Sequence, residues 1–300
     1  MYSMRHGAQM RSIEWVDEIP PARLGARIVS SEWHASCSRI RIDRVLRLEE
    51  LKAGLPVGKL GVELHFYPSL GSTNNRAAEL ARAGAPEGTL VVADKQTAGR
   101  GRSGRRWHTP AGSGLAFSLV LRPTTLGSRE IAAIGLIGAM GSIEALAEYG
   151  LQPELKWPND VLLNGAKVGG ILAEASWTGS ELDHVILGIG LNVREGPLPE
   201  VEFPATSVEQ SLGKPVAREA LLLRVLAATD RWYGRLIEGT AHPDWEARLA
   251  YRGKRVALSN GNGERVGVVL GLTPQAGIRM AIEGDEHMVF ESGAFHLRPL

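Results

Sequence analysis

The order of apolar and polar positions lays out most of the chain. Apolar residues at helical spacing in VLRLEELKAGL (45–55) predict a short helix, and GVELHFYPSL (61–70) alternates like a strand. In STNNRAAELARAG, Ser72 or Thr73 is placed to cap a helix, with Gly84 as its stop. GTLVVADKQ reads as a buried strand, and SGLAFSLVLR (113–122) as another with alternating apolar residues. A long apolar helix is expected over 129–149, capped by Ser128 and closed by Gly150. Asn164-Gly165 then lies between two β-rich runs, the strongest short-range hairpin signal. HVILGIGLNV (184–193) reads as a central strand, and 217–239 as an amphipathic helix ending at Gly239.

After about residue 250 the texture changes. RVALSN, ERVGVVLGLT, GIRMAIEG, HMVF and FHLRPL are short strand patterns separated by Gly- and Asn-rich turns. They predict a small β-barrel at 250–300, appended to an α/β body. Residues 1–40 show no sustained periodicity and contain a Pro20-Pro21 pair, so they are expected to be a poorly ordered extension. The packed amphipathic helices of a DNA-binding helix-turn-helix are not found there.

Composition narrows the class. Apolar residues make up 44% and charged residues 22% of the 300, which excludes collagen, coiled coil and wholesale disorder. Lys+Arg at 34 against Asp+Glu at 33 gives +1, which excludes a globally polybasic nucleic-acid binder and leaves room for a local basic site. Cys37 is the only cysteine, so no intrachain disulfide can form, and a cytoplasmic location is expected. The longest apolar stretch, 131–143, is too short and Gly-rich to span a bilayer, and the first residues lack the apolar core of a signal peptide.

Three segments concentrate candidate chemistry. In QTAGRGRSGRRWHTP (96–110), Arg100, Arg102, Arg105 and Arg106 alternate with Gly99, Gly101 and Gly104. Glycines free the backbone to aim N–H groups at one point, and arginines add bidentate bonds to phosphate. The combination suits a nucleoside triphosphate or an acyl-phosphate intermediate. The G-x-G-x-x-G spacing here leads into Arg-Arg-Trp-His-Thr-Pro rather than a helix, so a dinucleotide fold is not expected. In KWPNDVLLNGAKVGGILAE, Lys156 and Lys167 flank Trp-Pro, Asn159 and Asp160. A lysine there suits a carboxylate or an α-phosphate, and Asp160 is placed to share Mg²⁺ with substrate phosphates. In GIGLNV (188–193) the glycines permit close approach of a ligand, with Asn192 at the strand end. The remaining tryptophans, Trp232 and Trp245 among them, read as core.

Ser72-Thr73-Asn74, GRGRSGRRW (99–107), KWPND with Lys167, and GIGLNV together resemble the biotin protein ligases (biotin–[acetyl-CoA-carboxylase] ligases), in order and spacing, from about residue 60 to 300. The resemblance implies an α+β fold: a mixed β-sheet catalytic domain of the biotin/lipoate protein ligase type at 41–249, with a small C-terminal SH3-like β-barrel. It implies that biotin and ATP with Mg²⁺ give biotinyl-5′-AMP, and that a lysine of a biotin carboxyl carrier protein of acetyl-CoA carboxylase then takes the biotin. No tightly bound prosthetic group is implied.

By the same resemblance, Ser72, Thr73, Asn74, Gln96, Arg100, Gly101, Arg102 and Lys167 would bind biotin. Arg102, Arg105, Trp107, Asn159, Asp160 and Asn192 would bind the nucleotide, and Arg102 and Lys167 would be catalytic. Metal ligands are not assigned. Many family members carry an N-terminal winged helix-turn-helix and act as repressors; residues 1–40 do not match it, so DNA is not an expected partner, nor is a membrane. A homodimer is compatible with the resemblance. GLTPQAG (271–277) departs from the family's usual Gly-Ile-Asp. Lipoate or octanoyl transfer on the same fold, or RNA clamped by GRGRSGRR, are the alternatives.

Overall fold

The computed structural model describes residues 45–56, 58–194, 196, 203–260, 263–283, 285–292 and 295–300. The extension expected at 1–40 lies outside them. The first half contains α1 (Leu48–Gly54), β1 (Glu63–Tyr67), α2 (Thr73–Arg82), β2 (Thr89–Ala93) and β3 (Gly114–Leu121). There follow α3 (Ser128–Ile131), α4 (Ile134–Ala147), β4 (Pro153–Lys156), β5 (Asp160–Leu163), β6 (Ala166–Thr178) and β7 (Glu181–Asn192). The C-terminal part holds α5 (Val208–Leu212), α6 (Arg218–Ile237), α7 (His242–Ala247), β8 (Arg255–Asn260), β9 (Gly263–Leu272), β10 (Ile278–Ile282), β11 (Asp285–Phe290) and β12 (His296–Pro299).

Seven strands form one sheet in the order β1-β2-β3-β7-β6-β5-β4. The β1–β2 pair is parallel and the other pairs are antiparallel, so the sheet is mixed. As the pattern predicts, β7 lies at its centre. Asn164 and Gly165 both have positive φ, 50° and 77°, the backbone that a two-residue β5–β6 hairpin requires.

The sheet is covered unequally. Helix α2 packs on one face through Ala77 and Ala81, against Val91, Val120 and Ile186. On the other face lies α4, with α6 packed against it. Helix α4 is buried on nearly every side, so its apolar run serves the core. Cover on both faces also explains why all of β3 is buried, where one-sided alternation was expected.

Two helix expectations need correction. The apolar helix is not continuous over 129–149: Ala133 N–H donates to the Glu130 carbonyl and Leu136 N–H to Ala133, tighter i→i+3 bonds that separate α3 from α4. Gly127, rather than Ser128, occupies the N-cap position of α3. Ser72 does occupy the N-cap position of α2, but its hydroxyl makes no capping bond. Among the other described tryptophans, Trp157, Trp232 and Trp245 are buried, whereas Trp177 is 43% exposed at the end of the β6–β7 hairpin.

The C-terminal strands form a five-stranded antiparallel sheet, β11-β10-β9-β8-β12. It is fixed to the larger sheet beside the KWPND segment: the buried Trp157 indole donates to the Ala276 carbonyl at 2.8 Å. Ala250 N–H donates to the Leu155 carbonyl at 2.8 Å.

Candidate active site

Along β7, residues of one parity face α4 and those of the other face α2. Ile186 packs under α2, so Gly188, Gly190 and Asn192 continue the same face beyond the helix. On β6 the matching positions are Gly170, Leu172 and Glu174, with Gly170 paired to Gly190. At Gly170, Gly188 and Gly190 the sheet carries no side chain, and other elements fill the room. A β-carbon on Gly188 would overlap the Asn74 amide, and one on Gly190 would overlap the Trp107 indole. The result is a cavity of about 280 Å³, near the small end of the range for small-molecule sites.

One end of the cavity is neutral and rich in hydrogen-bonding groups. The Gln96 side-chain oxygen accepts from Thr73 N–H at 2.9 Å and from the Thr73 hydroxyl at 3.2 Å. Buried Ser118, on β3, lies 2.8 Å from Thr73 Oγ1 and 2.6 Å from Asn74 Oδ1. Asn74 Nδ2 donates to Glu174 Oε2 at 2.8 Å and to the Leu172 carbonyl at 3.3 Å. Ser72, spared from capping, lines this cavity too.

The other end is cationic. Arg102, Arg105, Arg106, Lys156 and Lys167 line the cavity, and Asp160 is the one carboxylate among its described lining residues. Asp160 sits 2.6 Å from Lys167 Nζ and 3.7 Å from Lys156 Nζ. Lys156 Nζ also lies 3.6 Å from the centre of the Phe203 ring. Burial holds the Lys156 ammonium below its usual pKa; Asp160 partly offsets this, and Lys167 adds to the lowering. Burial likewise lowers Arg102, again partly offset by Asp160. A group of cations with one carboxylate between them is completed by an anion.

The 96–110 loop supplies this end in a way that differs from expectation. Three of its amides serve the loop rather than a ligand. Gly101 N–H donates to Arg105 O, Arg105 N–H to Arg102 O and Trp107 N–H to Gly99 O, so the loop spends them on itself. The side chains converge instead. Arg102 donates to Asn159 Oδ1 at 3.3 Å and to the carbonyl of Ser292, just after β11 of the C-terminal sheet, at 2.5 Å. Asn159 is held by its own Nδ2 on the Ile171 carbonyl at 2.8 Å. Trp107 Nε1 is buried without a hydrogen-bond partner, a donor left for something that enters the cavity. Arg100 turns outward to Asn75 and Glu174.

The residues assigned to biotin or nucleotide binding from sequence all line this cavity, whereas Gly99, Gly104 and Asn164-Gly165 do not. Asn192 lies at its rim, donating to the Thr206 carbonyl at 3.1 Å. Sequence reasoning left out Ser118, Glu174 and His296, and it named Lys156 without assigning it to the site. His296 and Leu297 bring the C-terminal sheet into the wall. The imidazole there stays below its usual pKa, first through burial and then through Arg105, Arg102 and Lys156.

Residues 66–192 match the Biotin/lipoate A/B protein ligase family. The chain is 37% identical over 230 residues to the Bifunctional ligase/repressor BirA of Bacillus subtilis, spanning 74% of this chain and 70% of that protein. It is 36% identical to the Biotin--[acetyl-CoA-carboxylase] ligase of Paracoccus denitrificans, over 67% of this chain and 87% of that one. Its structure resembles that of the biotin protein ligase from Aquifex aeolicus in complex with biotin and ATP, with a TM-score of 0.69 and 32% identity over 79% of this chain and 99% of that chain.

Proposed function

The chain belongs to the biotin/lipoate A/B protein ligase family, and from that premise we propose that its cavity is the site of an ATP-dependent biotin protein ligase. The observation that carries the reading is the joining, in one cavity, of a neutral hydrogen-bonding end to a cationic end. Biotin has the same two characters, a ureido ring and a carboxylate. Asn74 and Gln96 each present an amide and Ser72 and Thr73 present hydroxyls, with Ser118 buried behind them, so ring N–H and C=O groups find partners as they leave water. The valeryl chain then runs past Asn74 and Trp107, which cover Gly188 and Gly190, and its carboxylate reaches Lys167.

In the first step a biotin carboxylate oxygen attacks the α-phosphorus of ATP; that P–O bond forms, the bond to the β-phosphate breaks, and pyrophosphate leaves. Lys167 and Arg102 hold the carboxylate and α-phosphate together as negative charge gathers there, and Arg105 and Lys156 reinforce that field. Trp107 offers its ring to adenine, with Asn159 and Asn192 on the nucleotide side. In the second step a neutral lysine amine of a biotin carboxyl carrier protein attacks the anhydride carbonyl. The C–O bond breaks, AMP departs, and an amide forms with loss of a proton. No enzyme nucleophile is required.

Mg²⁺ fits as a companion of the triphosphate. Among the described residues no cluster of three or more His, Cys, Asp or Glu is placed to hold a metal, and Asp160 is already paired with two lysines. The ion would keep mostly phosphate and water oxygens, with Asp160 as its protein ligand, and would lower the charge carried into the site. The cytoplasm, where ATP and carrier proteins meet, is the proposed place of action.

The test is biotin-dependent exchange of labelled pyrophosphate into ATP, followed by mass analysis of a carrier domain. Exchange with biotin and one biotinylated lysine are expected. Exchange with lipoate or octanoate and none with biotin would reassign the activity within the fold.

A further inference from the structure

We propose that Glu174 is a positioning residue that locks the ring end of the cavity to the arginine loop. Its two carboxylate oxygens have different partners. Oε2 accepts from Asn74 Nδ2 at 2.8 Å, and Oε1 pairs with Arg100 of the loop. A second bond holds the loop arginine to the same helix start, from Arg100 Nη1 to Asn75 Oδ1 at 2.5 Å.

An asparagine amide can be turned either way, and only its partners fix which end faces a ligand. Here the two acceptors, Glu174 Oε2 and the Leu172 carbonyl, hold Nδ2 away from the ring site, and Ser118 faces Oδ1. Asn74 Oδ1 thereby lies over Gly188, where it takes the Ser118 hydroxyl and keeps a second lone pair for the ring. The Leu172 bond is long at 3.3 Å, so Glu174 supplies the stronger restraint. Loss of the carboxylate frees the amide to flip and to present N–H where the ring needs an acceptor.

The same carboxylate anchors Arg100, two residues before Arg102. Glu174 and Arg100 are both partly exposed, so their ion pair adds little stability of its own. Its effect is geometric: whatever fixes Asn74 also fixes the start of the loop. Occupancy of the ring end and ordering of the loop then favour each other through one side chain.

This inference rests on the biotin reading of the cavity. It is tested on the full chain with Glu174→Ala, Glu174→Gln and Arg100→Ala, measuring biotin Kd by calorimetry and release of biotinyl-AMP by stopped flow. Glu174→Ala removes both restraints, and biotin Kd should rise roughly tenfold, as for a lost charge-assisted bond. Glu174→Gln keeps an acceptor for Asn74 and loses the Arg100 pair. Its biotin Kd should rise less than about threefold, while adenylate release should quicken as much as in Arg100→Ala. A purely structural role would not divide the two measurements between the two variants. Wild-type affinity for biotin in Glu174→Ala, or equal losses in both variants, would overturn the proposal alone. A wild-type chain that does not bind biotin would overturn the biotin reading, and the inference with it.

Discussion

The indole of Trp107 occupies the space that a side chain on Gly190 would fill. The strand gives up a β-carbon, and the loop ring lies directly on its backbone. Gly170, across the pair on β6, leaves the same face low; a β-carbon there would come within 3.2 Å of the same ring. This placement makes Trp107 part of the cavity floor and leaves its buried Nε1 unpartnered.

Gly190→Ala should therefore expel the ring. A rigid indole cannot yield as the end of a flexible chain would, so the loop must lift. If Trp107 stacks on adenine, at roughly 1–3 kcal/mol per aromatic–base stack, KM for ATP should rise about tenfold or more. Biotin affinity should change much less, since the hydrogen bonds that set Asn74 and Gln96 do not involve this ring. Steady-state exchange at varied ATP and calorimetry with biotin alone would separate the two, and an unchanged KM for ATP would argue against the stacking role.

Asp94 and Arg218 form a buried ion pair at 2.8 Å, with side chains 3% and 1% exposed. The Asp94 carboxylate also accepts from Leu46 N–H and Gly112 N–H, and Arg218 donates to the Gly114 carbonyl. Both ends of the 95–113 segment are tied to this pair. Arg218→Met should cost about 3–5 kcal/mol, the usual result of stranding one buried charge. The double variant Asp94→Asn/Arg218→Met should recover part of that loss. Urea denaturation of the two variants measures the difference.

The neutral state of His296 gives a pH signature. Its pKa lies below the ordinary 6.5 in the folded chain, so the unfolded chain binds the proton more readily. Stability then falls as pH drops from about 6.5 through the folded pKa, and the full penalty is present below that. Above the unfolded value both states are neutral and the contribution vanishes. Melting temperature followed from pH 8 to pH 5 should decline less in His296→Asn than in the wild type. Parallel curves would place the acid loss elsewhere.

Local rules reached some of this structure and not the rest. Asn164-Gly165 was legible because positive φ at two adjacent residues is a property of those residues alone. The strand GIGLNV was legible as a place of close approach, but not which side chains would fill it. Asn74 and Trp107 arrive from other elements. Glu174 shares the period of two with Gly170 and Leu172, so its face could be read, yet its partner Asn74 is 100 residues away. His296 enters through docking of the C-terminal sheet, which no spacing encodes. The break between α3 and α4 escaped notice because Ala132 and Ala133 suit a helix; packing overrode local preference there. The arginine loop differed in one respect: its glycines were read as freeing amides for a ligand, and the Gly101 amide serves the loop's own bond to Arg105.

Arg102 and Lys167 should fail in different ways. Lys167 contacts Asp160 at 2.6 Å near the Trp107 ring, on a strand of the main sheet. Arg102 sits on the loop and bonds to Asn159 and to the Ser292 carbonyl, just after β11. Its guanidinium is thus a clasp between the loop and the far wall of the cavity. A closed loop keeps water from a hydrolysable anhydride. Removing one charged hydrogen-bonding group costs roughly 1.5–3 kcal/mol, so Arg102→Ala should release biotinyl-AMP about ten- to a hundredfold faster while biotin Kd moves little. Lys167→Ala removes the charge proposed to face the carboxylate and α-phosphate, so it should lower the rate of adenylate formation itself. Stopped-flow capture and chase of biotinyl-AMP reads formation and release separately. Equal loss of biotin and adenylate affinity in Arg102→Ala would refute the clasp, because a residue that acts only on the closed loop cannot weaken the ring end to the same degree.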